Sequence, residues 1–408
     1  MGTSAEVGVL DIGNFRSIKK TRLDLDRLTV LLGGNGAGKS NVVDVFRFIS
    51  EALSLGLFTA LERRAGIQAV RHRIAGTGGN PRAVRLALGL KFPNGFTAEY
   101  AFSLSSKRGG VYHVGEERCR VWTTDHYCFL NYYLRGGRHV RPPELAIEDF
   151  MDIGRDKREF AKMFIGRVEP NPEALALPLM GGMPGIKSML DALRSLRTYS
   201  IVPDVIRDPQ DPDEGRVLAS DGANASSVWR SLTTAAKSEL VALLAHAVPG
   251  IESIRSKRYG KKRGLEFIQR TQQGRNEFDA HQMSDGTLRL FGILLALLQP
   301  AQSSLIALEE PEVSIHLGAL AALVEVLRTK AEDRQIVITS HNADLADFVG
   351  TNELRMVRAT PDGTQVSKIA KHSVDAIREE LFSPGELLRA GGLHGEGQSV
   401  AAPVEPSK

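Results

Sequence analysis

The sequence predicts an α/β protein with a mixed-sheet core, an antiparallel β subdomain and a helical insertion. Three observations point there. A strand, a glycine loop and a helix follow one another near the start, turn-separated strand-like runs fill Val84 to Leu134, and apolar strands alternate with helices after Ile254. At 408 residues the chain fits two domains or one large domain with insertions.

The opening segments "GVLDI", "TRLDL" and "LTVLLG" read as short strands, and Asn41 to Leu55 follows with helical periodicity. "VRLALGLKF", "TAEYAFSLSS" and "GVYHVGEERCRVW", parted by "PNG" and "KRGG", predict an antiparallel sheet that completes an N-terminal lobe over 1–141. From Pro142 to Leu196 the pattern changes to two or three amphipathic helices, including "ELAIEDFMDIG" and "GIKSMLDALRSLR", around the breaker "LPLMGGMPG". This insertion is assigned to 142–200. Asp208 to Gly215, "DPQDPDEG", is an acidic proline-containing loop, and Ser226 to Ala247 reads as one amphipathic helix. The basic "RSKRYGKKRG" and the strands "LEFIQR", "SLIALEE" and "QIVITSH" predict a parallel sheet with its functional loops at one edge, in a C-terminal lobe over 201–370. The segment 371–408 reads as a C-terminal helix followed by the non-periodic tail "GGLHGEGQSVAAPVEPSK", for which disorder is expected. No internal repeat is visible.

Glycine is abundant and aromatics are sparse, so the core should be aliphatic. The formal net charge of +4 is too small to argue for a polyanionic partner without a local patch. Cys119 and Cys128 have neither CxxC spacing nor a nearby His/Cys set, which predicts neither a disulfide framework nor a zinc site and fits a cytoplasmic protein. The start carries no signal-peptide pattern. Leu290 to Leu308 is long enough to span a bilayer, yet "QPAQSS" interrupts it, so a buried helix, a turn and a strand are expected and no membrane partner.

"GGNGAGKS", Gly33 to Ser40, satisfies G-x-x-x-x-G-K-[ST] between an apolar strand and a helix. A chance match should occur in on the order of one per cent of chains this long. The glycines let backbone N–H groups curl around phosphates, Lys39 neutralises their charge, and the Ser40 hydroxyl can ligate Mg²⁺. Asn35, Gly36, Ala37, Gly38, Lys39, Ser40 and Asn41 are therefore the candidate nucleotide-binding set. "SLIALEEPE" ends a buried strand in two acids. Glu309 is placed to hold Mg²⁺, and Glu310 to act on the attacking water as base or orienter. "QIVITSHNADL" brings His341 out of a strand end, where a histidine can donate to a γ-phosphate. "HQMSDGTLR" carries Ser284 and Gly286 at a helix start, which suits both an N-cap and an anion grip.

Taken together, "NFRSI", "GGNGAGKSN", "MSDGT", "LIALEEPE" and "TSHNADL" resemble, in that order, the P-loop NTPases of ABC-ATPase type found as heads of RecF, structural-maintenance-of-chromosomes (SMC) and overcoming-lysogenization-defect proteins. Stand-alone bacterial ATPases labelled AAA family are the nearest in pattern. The resemblance implies ATP and Mg²⁺ as cofactors, Lys39 and Ser40 as Walker A residues, Glu309 and Glu310 as the Walker B acid and catalytic glutamate, and His341 as the switch histidine. It also implies that Ser284 and Gly286, as signature-motif residues, contact the γ-phosphate bound to a second copy, giving an ATP-dependent head-to-head homodimer in DNA repair, maintenance or anti-phage defence. Asp285, negative beside a phosphate, should then turn away or cap the helix.

Two positions depart from the pattern. His316 stands where many relatives have Asp after Walker B, and Gln68, the sole glutamine between Lys39 and Gln210 and so the only candidate for the metal-contacting glutamine, sits in "AGIQAVRHR", a poor strand end that reads better as exposed surface. Arg255, Lys257, Arg258, Lys261, Lys262 and Arg263 around Tyr259 form a candidate DNA patch, with a solvated turn as the alternative. Arg135, Arg138, His139 and Arg141 form a weaker one. The insertion is too short for a long coiled coil, and too few residues follow His341 for an additional nuclease domain, so any nuclease or effector should be a separate partner. The same motifs leave open a transporter's nucleotide-binding subunit or a non-hydrolysing sensor.

Overall fold

The computed structural model describes residues 5–72, 83–106, 111–124, 128–136, 138–145, 171–182, 186–300 and 303–397. At its centre are the strands β3 (Leu28–Leu32), β9 (Leu196–Tyr199), β13 (Leu305–Glu309), β14 (Gln335–Ser340), β15 (Leu354–Thr360) and β16 (Gly363–Lys368), in the order β16-β15-β3-β14-β13-β9. All neighbours run parallel except the β15/β16 hairpin, so the sheet is mixed. "LTVLL" and "LIALE" show no polar alternation because both faces of this sheet are covered. Leu31, Ala307 and Val337 face a core shared with the helix Lys39–Ser54, whereas Val30, Leu32, Ile306, Leu308, Ile336 and Ile338 face a second core around the helices Asp285–Leu298 and Leu317–Ala331.

Register decides what meets at the sheet edge. Glu309 is paired with Thr339, and Ser340 with Leu32, so β3, β13 and β14 end side by side. The segments beginning at Gly33, Glu310 and His341 leave the sheet as three adjacent loops, the usual place for ligands in open α/β sheets.

A second, seven-stranded antiparallel sheet joins β1 (Glu6–Phe15), β2 (Ile18–Asp24), β4 (Val84–Lys91), β5 (Thr97–Ser106), β6 (Tyr112–Trp122), β7 (Cys128–Arg135) and β8 (Arg138–Leu145), ordered β2-β1-β4-β5-β6-β7-β8. Its strands alternate, as β4 does with Val84, Leu86, Leu88 and Leu90 buried, and that face packs on the helix Lys39–Ser54. Fully burying Phe46 or Phe48 there contributes roughly 1.5–3 kcal/mol each. Glu117 is buried inside this lobe and accepts from Tyr100 and Tyr132 hydroxyls and from the Ala176 and Leu177 amides.

Several expectations are corrected. Pro142 to Leu145 lie in β8, not in a helix, and Leu196–Tyr199 forms the core-sheet strand β9, so neither end of 142–200 is helical insertion. The helix expected at Ile186 is present as Ile186–Arg194, while residues 146–170 lie outside the described set. "LEFIQR" belongs not to the parallel sheet but to β11 (Lys262–Thr271), the middle of a separate antiparallel meander with β10 (Ile251–Tyr259) and β12 (Gly274–Asp279). Ser226 to Ala247 is two helices, Ala225–Ser231 and Thr234–Ala247, because Leu232 turns extended and Thr233 caps the second through the Ala236 amide. Past 371 come the helices Lys371–Arg378 and Pro384–Arg389, and residues 398–408 lie outside the described set. Among the described residues no helix is long and apolar enough to cross a membrane, and Leu290–Leu308 divides into helix and strand.

Candidate functional site

The loop Gly33–Gly38 joins β3 to the helix Lys39–Ser54. Gly36 and Gly38 take φ values of 75° and 101°, the left-handed region that glycine occupies without strain. Gly38 has a second constraint: a Cβ there would lie 2.1 Å from the Thr364 hydroxyl of β16. No side chain caps the helix, so its first amides and the positive end of its dipole face the loop, where a phosphate would be stabilised.

Lys39 is buried and its Nζ donates to the Gly33 and Gly34 carbonyls at 2.8 and 3.1 Å. Burial pushes its ammonium below the ordinary lysine value, opposed by the nearby Glu310 and Glu312 carboxylates. Glu310 Oε1 is 3.8 Å from Lys39 Nζ and 3.1 Å from His341 Nδ1. Lys39, Glu310 and His341, from three strand ends, are thus brought to one point. Glu310 stands at φ 44°, held there by its amide donating to the carbonyl and hydroxyl of Thr339. Such strain in a non-glycine residue persists only where surroundings impose it, and it clusters at functional sites.

Glu309 ends β13 and lies 3.7 Å from Arg47, which also donates to Thr198. Ser40 is exposed in the first turn of its helix. Among the described residues no cluster of three His, Cys, Asp or Glu side chains would hold a metal by itself. One hydroxyl and one carboxylate beside a phosphate loop do fit Mg²⁺, which keeps waters and takes phosphate oxygens as its other ligands. Gln68 lies in the short helix Ile67–Val70, half-buried, and among the described residues no hydrogen bond links it to Ser40 or Glu309. Asn41 Nδ2 donates to Ser17 Oγ at 2.6 Å, and Ser17 in turn shares a 2.7 Å hydrogen bond with Thr364. Its side chain therefore braces the loop.

At the second motif, Ser284 caps the helix Asp285–Leu298 by accepting from the Thr287 amide at 3.2 Å. Asp285 turns to an ion pair with Arg207. Gly286 has an intrachain reason for its identity, since a Cβ there would meet the Ser314 carbonyl oxygen at 2.2 Å. His316 caps the helix Leu317–Ala331, accepting from the Gly318 amide at 3.1 Å.

The sequence reasoning missed Glu312, Ser17 and Thr364. Glu312 is 4% exposed, and Ser340 donates to its Oε1. Burial pushes its carboxyl above the ordinary range, against the Ser340 hydrogen bond. The only cue was a third acid after the pair, in "EEPE".

In the basic hairpin, Arg255 pairs with Glu277, and Lys257 with Glu266 and Asp279, which raise its pKa. The Tyr259 ring packs over Gly264 and its hydroxyl reaches Asp279 at 2.6 Å, so it is not a free stacking platform. Arg258, Lys261 and Lys262 stay exposed, while Arg263 is half-buried and its backbone pairs with Gln210. Arg135 faces Glu116 at 3.8 Å, and the side chains of Arg138, His139 and Arg141 lie outside the described set. A groove of about 1370 Å³ on the seven-stranded sheet, bordered by Lys19, Lys20, Arg85, Arg118 and Arg120, shares no lining residue with the phosphate loop.

A family profile described as "AAA domain, putative AbiEii toxin, Type IV TA system" matches residues 28–138 and 187–347. No curated protein sequence matches. Among solved structures, an Smc head bound to the C-winged helix domain of ScpA is similar with a TM-score of 0.50 at 14% identity, covering 91% of this chain and 99% of that one. An Smc head with an extended coiled coil bound to the C-terminal domain of ScpA, derived from Pyrococcus furiosus, gives 0.47 at 14%, over 92% and 99%. The SMC head domain from Thermotoga maritima gives 0.40 at 13%, over 90% and 99%. At such identities the likeness is one of fold, that of an ABC-ATPase head of SMC type.

Proposed function

The chain belongs to the AAA-domain family described as putative AbiEii toxin of a type IV TA system, and from that premise we propose that it binds ATP with Mg²⁺ and hydrolyses it in a site completed by a second copy of the chain. The observation that carries this reading is the meeting of Lys39, Glu310 and His341, within 3.8 and 3.1 Å of one carboxylate, beside an uncapped helix start.

In this reading the amides of Asn35 to Asn41 and the Lys39 ammonium hold the β- and γ-phosphates. ATP draws Lys39 away from the Gly33 and Gly34 carbonyls, which stand in for phosphate oxygens as its acceptors. Ser40 and Glu309 hold Mg²⁺, which supplies charge neutralisation on the phosphates. Glu310 orients the attacking water and takes up its proton, and His341 steadies Glu310 and donates toward the γ-phosphate. Ser284 and the helix start behind it serve the nucleotide held by the partner copy. The support is that among the described residues neither Ser284 nor Asp285 is hydrogen-bonded to the phosphate loop of its own chain.

Action on DNA, in repair, maintenance or phage defence, is part of the same proposal and rests on the SMC-type fold together with the exposed Arg258, Lys261 and Lys262. One assay series tests both layers: ATP turnover and ATP binding of wild type, Glu310→Gln and a triple Arg258/Lys261/Lys262→Glu variant, with and without duplex DNA at two salt concentrations. Glu310→Gln should keep ATP binding and lose turnover by about 10²–10⁴-fold. Turnover undiminished in that variant would refute the hydrolytic reading. DNA stimulation that vanishes with salt and in the triple variant supports the DNA role, and its absence from wild type would remove it.

A further inference from the structure

The His341–Glu310 contact raises a physical difficulty. Both side chains are well exposed, 41% and 36%, and a pair so open to water holds its own geometry only weakly. Something beneath must fix the two segments. Glu310 is tied to β14 through Thr339, as described. Two residues on, Glu312 is buried and accepts a short hydrogen bond from Ser340 Oγ, and that same Oγ accepts from the Asn342 amide at 2.9 Å. His341 lies between the two residues so held. Asn342 caps the following helix, accepting from the Asp344 amide at 2.7 Å, so the clamp extends into a rigid element.

We propose that Glu312 is a positioning residue for ATP hydrolysis: through Ser340 its buried carboxylate fixes the His341 backbone against Glu310, so the exposed pair is set from below. The inference rests on the hydrolytic reading above. Glu312 does not touch the reacting atoms. Its second oxygen, Oε2, is buried and has no hydrogen-bond partner among the described residues, so among side chains only Ser340 is hydrogen-bonded to this carboxylate.

The test compares Ser340→Ala, Glu312→Ala and Glu312→Gln with wild type and Glu310→Gln for kcat, KM for ATP and Tm. Ser340→Ala removes one hydroxyl, and with it the hydrogen bonds to Glu312 and from the Asn342 amide, and is the smallest change that breaks the link. It should lower kcat by about 100-fold while KM for ATP and Tm stay near wild type, the pattern expected when catalytic groups are misplaced by about an ångström. Glu312→Gln keeps an oxygen acceptor for Ser340 and should restore most of the kcat lost in Glu312→Ala. The double variant Ser340→Ala/Glu312→Ala should be no slower than the worse single variant, because both single changes already remove the Ser340–Glu312 hydrogen bond. Wild-type kcat in Ser340→Ala, or Glu312→Gln as slow as Glu312→Ala, overturns the proposal. So does a loss of kcat, ATP binding and Tm together in Ser340→Ala, which would make the link a matter of folding. If instead Glu310→Gln hydrolyses ATP, it is the hydrolytic reading that fails.

Discussion

Gly38 shows how tightly single residues are specified around the loop. Its φ of 101° excludes most side chains, and its Cα faces Thr364 so closely that even a methyl group would collide. Thr364 donates to the Ala37 carbonyl at 3.0 Å and bonds Ser17, which receives Asn41. The loop is therefore held in shape by residues from both ends of the chain. Gly38→Ala should cost about 1–3 kcal/mol from strain, and because the strained residue shapes the phosphate cradle, ATP affinity should fall far more than global stability. Isothermal titration with ATP beside urea denaturation separates the two, and unchanged affinity would show that the loop tolerates reshaping. None of this bracing was legible beforehand. The glycine-lysine-serine pattern is local, whereas Ser17 and Thr364 meet across 347 positions and carry no motif. Glu312 escaped for a related reason, since an acid in a polar run reads as solvated until the register buries it. The signature-like motif assigns Gly286 to a partner's phosphate, yet its own chain's Ser314 carbonyl already demands a glycine there.

Among the elements, the ones read well were those whose environment is written in their composition. β3, β13 and β14 are buried on both faces and mainly apolar because two cores cover them, and the polar residues at and beyond their ends mark the functional edge. β9 is only four residues long and follows a helix, so its sequence could not separate it from the insertion. β11 resembles a core strand, yet it pairs with the basic β10 hairpin, and the acids that neutralise Arg255 and Lys257 come later, at Glu266, Glu277 and Asp279. The antiparallel lobe holds one further dependence. Burial holds the Glu117 carboxyl above its ordinary value although four donors oppose that shift. The folded chain thus binds this proton more tightly than the unfolded one. Its contribution to stability is present in full below the unfolded carboxyl range and is lost as pH rises through the raised value. Glu117→Ala, which strands the Ala176 and Leu177 amides and leaves a void, should lower stability by about 2–5 kcal/mol and flatten that pH dependence. Urea midpoints across the acidic to neutral range check it, and an unaltered slope would mean that Glu117 does not govern this window.

On the scale of the whole molecule, the proposed function assigns to one chain two parts of a nucleotide site, and among the described residues no hydrogen bond or ion pair joins Ser284 or Asp285 to the phosphate loop. In that reading the phosphate loop, Glu310 and His341 make one half, and the capped helix at Ser284 is offered to a second copy as the other. The family match and the SMC-type head fold are compatible with a monomer, so the composite site is the central claim and the one most exposed to test. Its consequence is that ATP joins two chains and hydrolysis at Glu310 parts them. Light scattering during gel filtration of Glu310→Gln, with and without ATP and Mg²⁺, tests this most directly. The account predicts the mass of one chain without nucleotide and of two chains with it, and a return to one chain when Ser284→Arg is added, ATP still being bound. Glu310→Gln remaining a single chain while saturated with ATP would contradict it.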